Sequence, residues 1–425
     1  MLKRSALALL AILLCTISQA ATTVTVLPDK DTGVYDAGQT VTWTAQVLAD
    51  KKPCSGKVTW RIKHGGADEI GKGEAALAEG KAQITGTRPD AGALLVEVKY
   101  KGEDGKEVTG LGGAVFSPDQ IKVSAPRPDD FDKFWADKIA ALNAIPMNVQ
   151  ITPGESGKPG VEYFKITMDN INGSKIHGQI AKPAGGTNLP AMLQVQWAGV
   201  YKLDKTWVTG HAAEGWLAMN ISAHDLPIDE APEFYKKQAD TALNDYPGIG
   251  NDNRETAYFL RMFLSCYRAA EYLTKERPEW NKKTLLVHGG SQGGYQTLML
   301  AGLHPAVTAF AASVPAGCDH TGKDAQRAPG WPNWASRTWQ KKDYAKMIEA
   351  SKYFDAVNFA YNIKCPGIVG VGLIDVTCPP EGVLAACNQM KGPKKVILMP
   401  PAGHMGPHGP YYAVFGPFLE EQRKK

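Results

Sequence analysis

The stretch Thr284-Leu285-Leu286-Val287-His288-Gly289-Gly290-Ser291-Gln292-Gly293-Gly294-Tyr295 decides how the rest of the chain is read. A largely apolar, β-prone run enters a turn made almost wholly of glycine around one serine. A helix-prone segment, Tyr295 to Leu303, follows. A serine on so sharp a turn needs glycine neighbours, because a Cβ beside it would strike the passing backbone. Its hydroxyl then projects above the carboxyl edge of a sheet, near the positive end of the next helix. Gly-x-Ser-x-Gly alone occurs by chance, and the strand before it and the helix after it give this copy its meaning.

A serine hydroxyl is a poor nucleophile until a base takes its proton and an acid orients that base. On a sheet of this kind the chain order is serine, acid, histidine. Asp375 closes Gly372-Leu373-Ile374-Asp375, just past the strand Gly367–Val371, and His404 closes Pro400-Pro401-Ala402-Gly403-His404, just past Lys395–Met399. Both sit on loops at strand carboxyl ends and can converge on Ser291. His408 is the nearest rival to His404 and lies further into the loop. An oxyanion needs two N–H donors. One is expected from Gln292, after the nucleophile. The other is expected from the loop Trp197-Ala198-Gly199-Val200-Tyr201, with Gly199 first and Ala198 next.

Outward from these residues, strand patterns alternate with helical ones. Val161–Ile166 and Lys175–Ile180 read as an opening antiparallel pair. Ala191–Gln196, Leu217–Ser222, Thr284–His288, Val307–Val314, Gly367–Val371 and Lys395–Met399 read as core strands, and Glu255–Lys275 as a long helix. Asp129 or Asp130 is expected to cap a helix carrying Phe131, Phe134, Trp135 and Ile139. The pattern predicts an α/β-hydrolase fold over 118–425, a mostly parallel sheet flanked by helices. Before the proline-bounded linker Ser117 to Pro128, residues 21–117 read as short strands parted by turns, an immunoglobulin-like β-sandwich. Its expected role is as a spacer or packing module, with sugar binding as the alternative.

Residues 1–20 carry a basic start (Lys3, Arg4), a short apolar core (Leu7 to Cys15) and small residues before a cut after Ala20. This predicts a cleaved signal peptide and a secreted or periplasmic protein. A net charge of +4 over 425 residues, with acids and bases dispersed, argues against nucleic-acid and membrane partners. Of the seven cysteines, Cys15 lies in the leader. The other six, Cys54, Cys266, Cys318, Cys365, Cys378 and Cys387, show no metal-binding spacing, so no metal site is expected. Most are expected to be buried small hydrophobes, and Cys378 with Cys387 is a candidate bridge.

Three segments together resemble the acetyl xylan esterase / cephalosporin C deacetylase family: Gly-Gly-Ser291-Gln-Gly-Gly, Gly372-Leu-Ile-Asp375-Val-Thr-Cys378-Pro379-Pro380 and Gly403-His404. Asp129-Asp130-Phe131-Asp132-Lys133-Phe134-Trp135 and Tyr353-Phe354-Asp355-Ala356-Val357-Asn358-Phe359-Ala360 fit the same family, over roughly residues 118 to 420. The resemblance implies hydrolysis of small acyl esters, above all acetyl, from sugars such as xylan, with no metal or organic cofactor.

The chain departs from the family in two places near the site. The Arg-Gly-Gln motif expected after Leu217–Ser222 is replaced by Ala223-His224-Asp225-Leu226-Pro227, and Trp197-Ala198-Gly199 stands where the family has a His beside its oxyanion Tyr. His224 is therefore a candidate pocket residue, against a plainer role in the loop. Trp331 and Trp334, in a tryptophan-rich insertion that runs from Cys318 through Trp339, are candidate sugar contacts, against packing of a lid. The sandwich lies outside the compact family pattern, so the oligomeric state is left open. Two other functions remain: a serine hydrolase for another acyl ester or a peptide, and a sugar-binding protein on a dead hydrolase fold.

Overall fold

Two β-systems follow one another along the chain. The computed structural model describes residues 22–334 and 342–425; the leader 1–20 and Trp339 lie outside the described residues.

The first system comprises β1 (Thr22–Pro28), β2 (Val34–Tyr35), β3 (Thr40–Ala49), β4 (Lys52–Pro53), β5 (Lys57–His64), β6 (Asp68–Ala76), β7 (Lys81–Thr87), β8 (Gly92–Lys101) and β9 (Glu107–Phe116). β3 pairs with β1, β4 and β7, while a second sheet runs β2-β9-β8-β5-β6. The period-two pattern of β3 buries Val41, Trp43, Ala45 and Val47. They meet Val58 and Ile62 of β5 and Val96 and Val98 of β8 in one apolar cluster between the sheets. Among the strands that the sequence reading does not single out, β6 and β9 carry the sequences DEIGKGEAA and EVTGLGGAVF. Glycine and charge conceal them, and pairing with β5 and β8 makes them strands.

The second system is a nine-stranded mixed sheet: β10 (Gln150–Gly154), β11 (Val161–Asp169), β12 (Lys175–Pro183), β13 (Leu189–Gln194), β14 (Leu217–Ile221), β15 (Trp280–Gly290), β16 (Ala309–Ser313), β17 (Gly367–Gly372) and β18 (Lys394–Met399). Their order is β10-β11-β12-β14-β13-β15-β16-β17-β18; β10 to β12 and the β12/β14 pair are antiparallel, and the rest are parallel. Parallel strands under helices on both faces must be apolar throughout, and β14, β16 and β17 are buried at every position. The helices are α1 (Phe131–Asn143), α2 (Thr206–Ala213), α3 (Pro232–Asp240), α4 (Tyr258–Glu271), α5 (Gln292–Leu303), α6 (Tyr344–Ser351), α7 (Ala356–Ala360), α8 (Pro380–Gln389) and α9 (Gly409–Arg423). This is the α/β-hydrolase arrangement expected from the elbow. None of the described helices is long and apolar enough to cross a membrane.

Asp130 precedes α1 but does not cap it. Its carboxylate takes bonds from Arg254 Nη1 at 2.8 Å and from the Tyr353 hydroxyl, partners far along the chain that outbid the local N–H groups. The candidate bridge between Cys378 and Cys387 does not form: the six cysteines among the described residues are free thiols.

α1 is pinned by aromatic packing. Trp135 is buried against Phe263, Phe354 and Phe359, with ring centroids 5.4–6.0 Å apart. Its indole N–H donates to the Tyr353 carbonyl at 2.9 Å. Removing the ring opens a cavity and orphans that carbonyl, so Trp135→Ala is expected to cost about 3–5 kcal/mol in chemical denaturation. A change below about 1 kcal/mol would refute this account of how α1 docks.

Candidate active site

The turn between β15 and α5 places Ser291 with φ 56° and ψ −122°, a strained backbone for a residue with a Cβ. Glycine at 293 makes the turn possible, because a Cβ there would lie 2.6 Å from the Val195 carbonyl oxygen. The elbow thus presses directly on the end of β13.

His404 Nε2 lies 2.8 Å from Ser291 Oγ, and His404 Nδ1 lies 2.8 Å from Asp375 Oδ2. Asp375 is buried, and its other oxygen receives the N–H groups of Thr377 and Cys378 at 2.8 Å each. A carboxylate that accepts at Nδ1 leaves Nε2 free to take a hydroxyl proton, the geometry needed to activate a nucleophile. His408 instead approaches the Gly403 carbonyl at 3.1 Å and braces the turn that carries His404. Asp375, Cys378 and His404 put three possible metal ligands within 4.8 Å of one another. A cation there would have to break the Asp375–His404 hydrogen bond.

The loop after β13 is held by a network that sequence reading missed. Gln292 is buried; its Oε1 accepts from the Tyr246 hydroxyl at 2.5 Å. That same hydroxyl is 3.4 Å from the Gly199 N–H. The Gly199 amide is thus turned toward Tyr246, whereas the Ala198 N–H has no partner among the described residues. Of the two donors expected from this loop, the Gly199 N–H is the one met by a tyrosine hydroxyl. The Gln292 N–H opens α5, where no intrahelical acceptor exists.

His224 does not line the pocket. It is buried behind this loop, with Nε2 3.0 Å from the Gly199 carbonyl and Nδ1 2.8 Å from the Tyr258 hydroxyl. A carbonyl only accepts, so Nε2 carries the proton and Tyr258 donates to Nδ1. Trp334 is also no sugar contact: it is 0% exposed, stacked on Phe354 at 5.2 Å, with its N–H on the Asn251 carbonyl at 2.6 Å. Trp331 is half-buried, and its backbone N–H donates to the Thr377 carbonyl at 2.7 Å beside the Asp375 loop.

The aromatic walls come from elsewhere. Ser291 opens on a cavity of about 510 Å³ lined by Trp197, Trp207, His288, Tyr411 and Tyr412. Trp197 stacks on Tyr201 at 5.3 Å and meets Trp207 edge-on at 5.0 Å, yet stays 45% exposed; Tyr412 is 60% exposed. The close spacing of Trp197, Tyr201 and Trp207 was the available signal.

Comparison with known proteins points one way. A family model described as acetyl xylan esterase (AXE1) matches residues 119–413. Acetyl esterase Axe7A of Xylanibacter ruminicola is 27% identical over 380 residues, covering 88% of this chain and 85% of that protein. An acetyl xylan esterase from Paenibacillus sp. R4 aligns with a TM-score of 0.60 at 23% identity, over 72% of this chain and 98% of its own. Acetyl xylan esterase 1 from Thermoanaerobacterium sp. JW/SL YS485 aligns with a TM-score of 0.62 at 20% identity, over 72% and 97% respectively. These two likenesses establish a shared fold.

Burial also fixes the charge state of the loop anchor. It holds His224 down to about 4, and likewise His304 to about 4, His288 to about 3 and His320 to about 3. An unfolded imidazole titrates near 6.5, so below that pH the unfolded chain takes up protons the folded chain refuses. Stability is therefore expected to fall as pH drops from about 6.5 toward 4, by up to about 1.4 kcal/mol per pH unit for each such group. Urea unfolding at pH 5, 6 and 7 measures the slope, and His224→Gln should flatten it by one proton's worth. A flat profile for the unaltered chain would refute the assignment.

Proposed function

The chain belongs to the acetyl xylan esterase family, and we propose that it removes acetyl groups from plant-type polysaccharides or oligosaccharides such as xylan by an acyl-enzyme mechanism on Ser291. It is an esterase, and its family is one of carbohydrate esterases. The observation that carries the mechanism is the unbroken line of two 2.8 Å hydrogen bonds from Ser291 Oγ through His404 to Asp375 Oδ2.

In this reading Ser291 Oγ attacks the acetyl carbonyl while His404 Nε2 takes its proton and Asp375 holds the imidazole. The N–H groups of Gln292 and Ala198 stabilise the developing oxyanion. His404 then returns the proton to the sugar oxygen as the C–O bond breaks. Water, deprotonated in the same way, releases acetate. Trp197, Trp207 and Tyr412 offer flat apolar faces to sugar rings, since C–H groups of a pyranose pack on aromatic rings while its hydroxyls stay wet. No step calls for a metal or an organic cofactor. The leader sequence supports export, so the substrate is met outside the cytoplasm.

A peptidase or another acyl hydrolase could share this scaffold, and the family favours the sugar ester. The dead-fold alternative would require a broken triad, and the three side chains are within bonding distance.

Acetate release from acetylated xylan and hydrolysis of p-nitrophenyl acetate are both expected, and Ser291→Ala should lower kcat by roughly 10⁴-fold or more on each. Activity on the small ester without any on xylan would retain the triad and overturn the polysaccharide assignment. Trp197→Ala should raise KM on acetylated xylan while leaving p-nitrophenyl acetate turnover within about twofold, because only the sugar uses that wall.

A further inference from the structure

The N-terminal sheets press on the chain on both sides of Asp375. Two residues before it, Leu373 lies against β9 so closely that a Cβ on Gly113 would sit 2.2 Å from the Leu373 carbonyl oxygen. A Cβ on Gly33 would sit 2.7 Å from the Leu373 side chain and 3.3 Å from Pro400, which opens the His404 loop. Six residues after Asp375, Glu381 stands in the first turn of α8. Its side chain and that of Arg88 are each only 3% exposed.

Glu381 is the hub of a buried ion network that joins the two β-systems. Its Oε2 accepts from Arg88 Nη1 at 3.0 Å and from the Ala93 N–H at 2.9 Å. Its Oε1 accepts from Arg88 Nη2 and Arg327 Nη1, each at 3.4 Å. Arg88 is fixed in turn by Asp90 at 3.1 Å and the Ala93 carbonyl at 3.0 Å, and Arg327 by Asp319 at 2.6 Å. Away from water, charges so paired are confined to one geometry; removing one partner strands the other.

Between Asp375 and Glu381 the chain has little slack. Pro379 and Pro380 fix two of the intervening φ angles, and the Asp375 carboxylate is itself bonded to the N–H groups of Thr377 and Cys378 in the same connection. A shift of Glu381 therefore reaches the carboxylate that orients His404.

We propose that the N-terminal sandwich positions the triad acid, with Arg88 as a positioning residue that acts through Glu381 and the Pro379-Pro380 connection. This rests on the Ser291–His404–Asp375 reading. Loss of the clamp displaces Asp375 and loosens His404, while Trp197, on the loop after β13, keeps its contacts with Tyr201 and Trp207. The defect then falls on kcat rather than KM.

The test uses the full chain with Arg88→Ala, Arg88→Lys and Glu381→Gln, assayed on p-nitrophenyl acetate, with Ser291→Ala as reference and near-ultraviolet circular dichroism to confirm folding. Arg88→Ala and Glu381→Gln are expected to lose at least about tenfold in kcat with KM within about twofold. Arg88→Lys should recover part of the loss, since it restores the charge without the two-pronged fork. If Arg88→Ala does not fold, Glu381→Gln, which keeps size and shape, decides. Folded variants with unaltered kcat, or with raised KM alone, would overturn the proposal. Undiminished activity in Ser291→Ala would instead bring down the triad reading beneath it.

Discussion

The contact between Gly293 and the end of β13 is the constraint on which the site depends. It lets the elbow turn inside the sheet edge, and it brings the loop that follows β13 within reach of the nucleophile's own helix. Ser291 is held at φ 56°, a conformation that costs on the order of 1–3 kcal/mol and survives only where surroundings dictate it. Here they do so densely. Gln292 takes the Tyr246 hydroxyl, and the side-chain amides of Gln292 and Gln296 both reach the Gln196 carbonyl, at 3.4 Å and 2.9 Å. These bonds tie the Ser291 turn to the loop after β13.

How much of this was legible in the sequence follows from where each signal resides. Ser291, Asp375 and His404 were readable because each follows an apolar strand in a fixed order, and strands and turns are local features. The contact of the Gly199 N–H with the hydroxyl of Tyr246 was not, because Tyr246 is nearly fifty residues away and in no motif. Trp334 and Trp197 look alike as letters; one is packed among Phe354 and Phe259, the other half-open over the nucleophile. Only the tertiary contacts separate them. β6 and β9 escaped because strand identity there is imposed by partners and contradicted by composition.

His224 shows the same limit from the other side. Its position near the site was apparent, but a buried imidazole with two neutral partners serves as a spacer of fixed length rather than a titrating group. Burial holds its pKa down to about 4, so the loop it supports keeps a neutral imidazole behind it near neutral pH. The buried ion network around Glu381 follows a different logic. Such charges contribute little net stability against an apolar alternative, and they serve best where register between two bodies matters.

The clamp also has a bearing on synthesis. Arg88 and Glu381 are 293 residues apart, so the sandwich emerges long before its partner exists. Contacts of such sequence separation form late and slowly, because a long loop must close before they can help. The partners of Gly33 and Gly113, Leu373 and Pro400, are likewise made only near the end of synthesis. Asp375, Glu381 and His404 all lie in the C-terminal part of the chain, so the sandwich, made first, has neither its clamp partner nor the residues beside it until that part has been made.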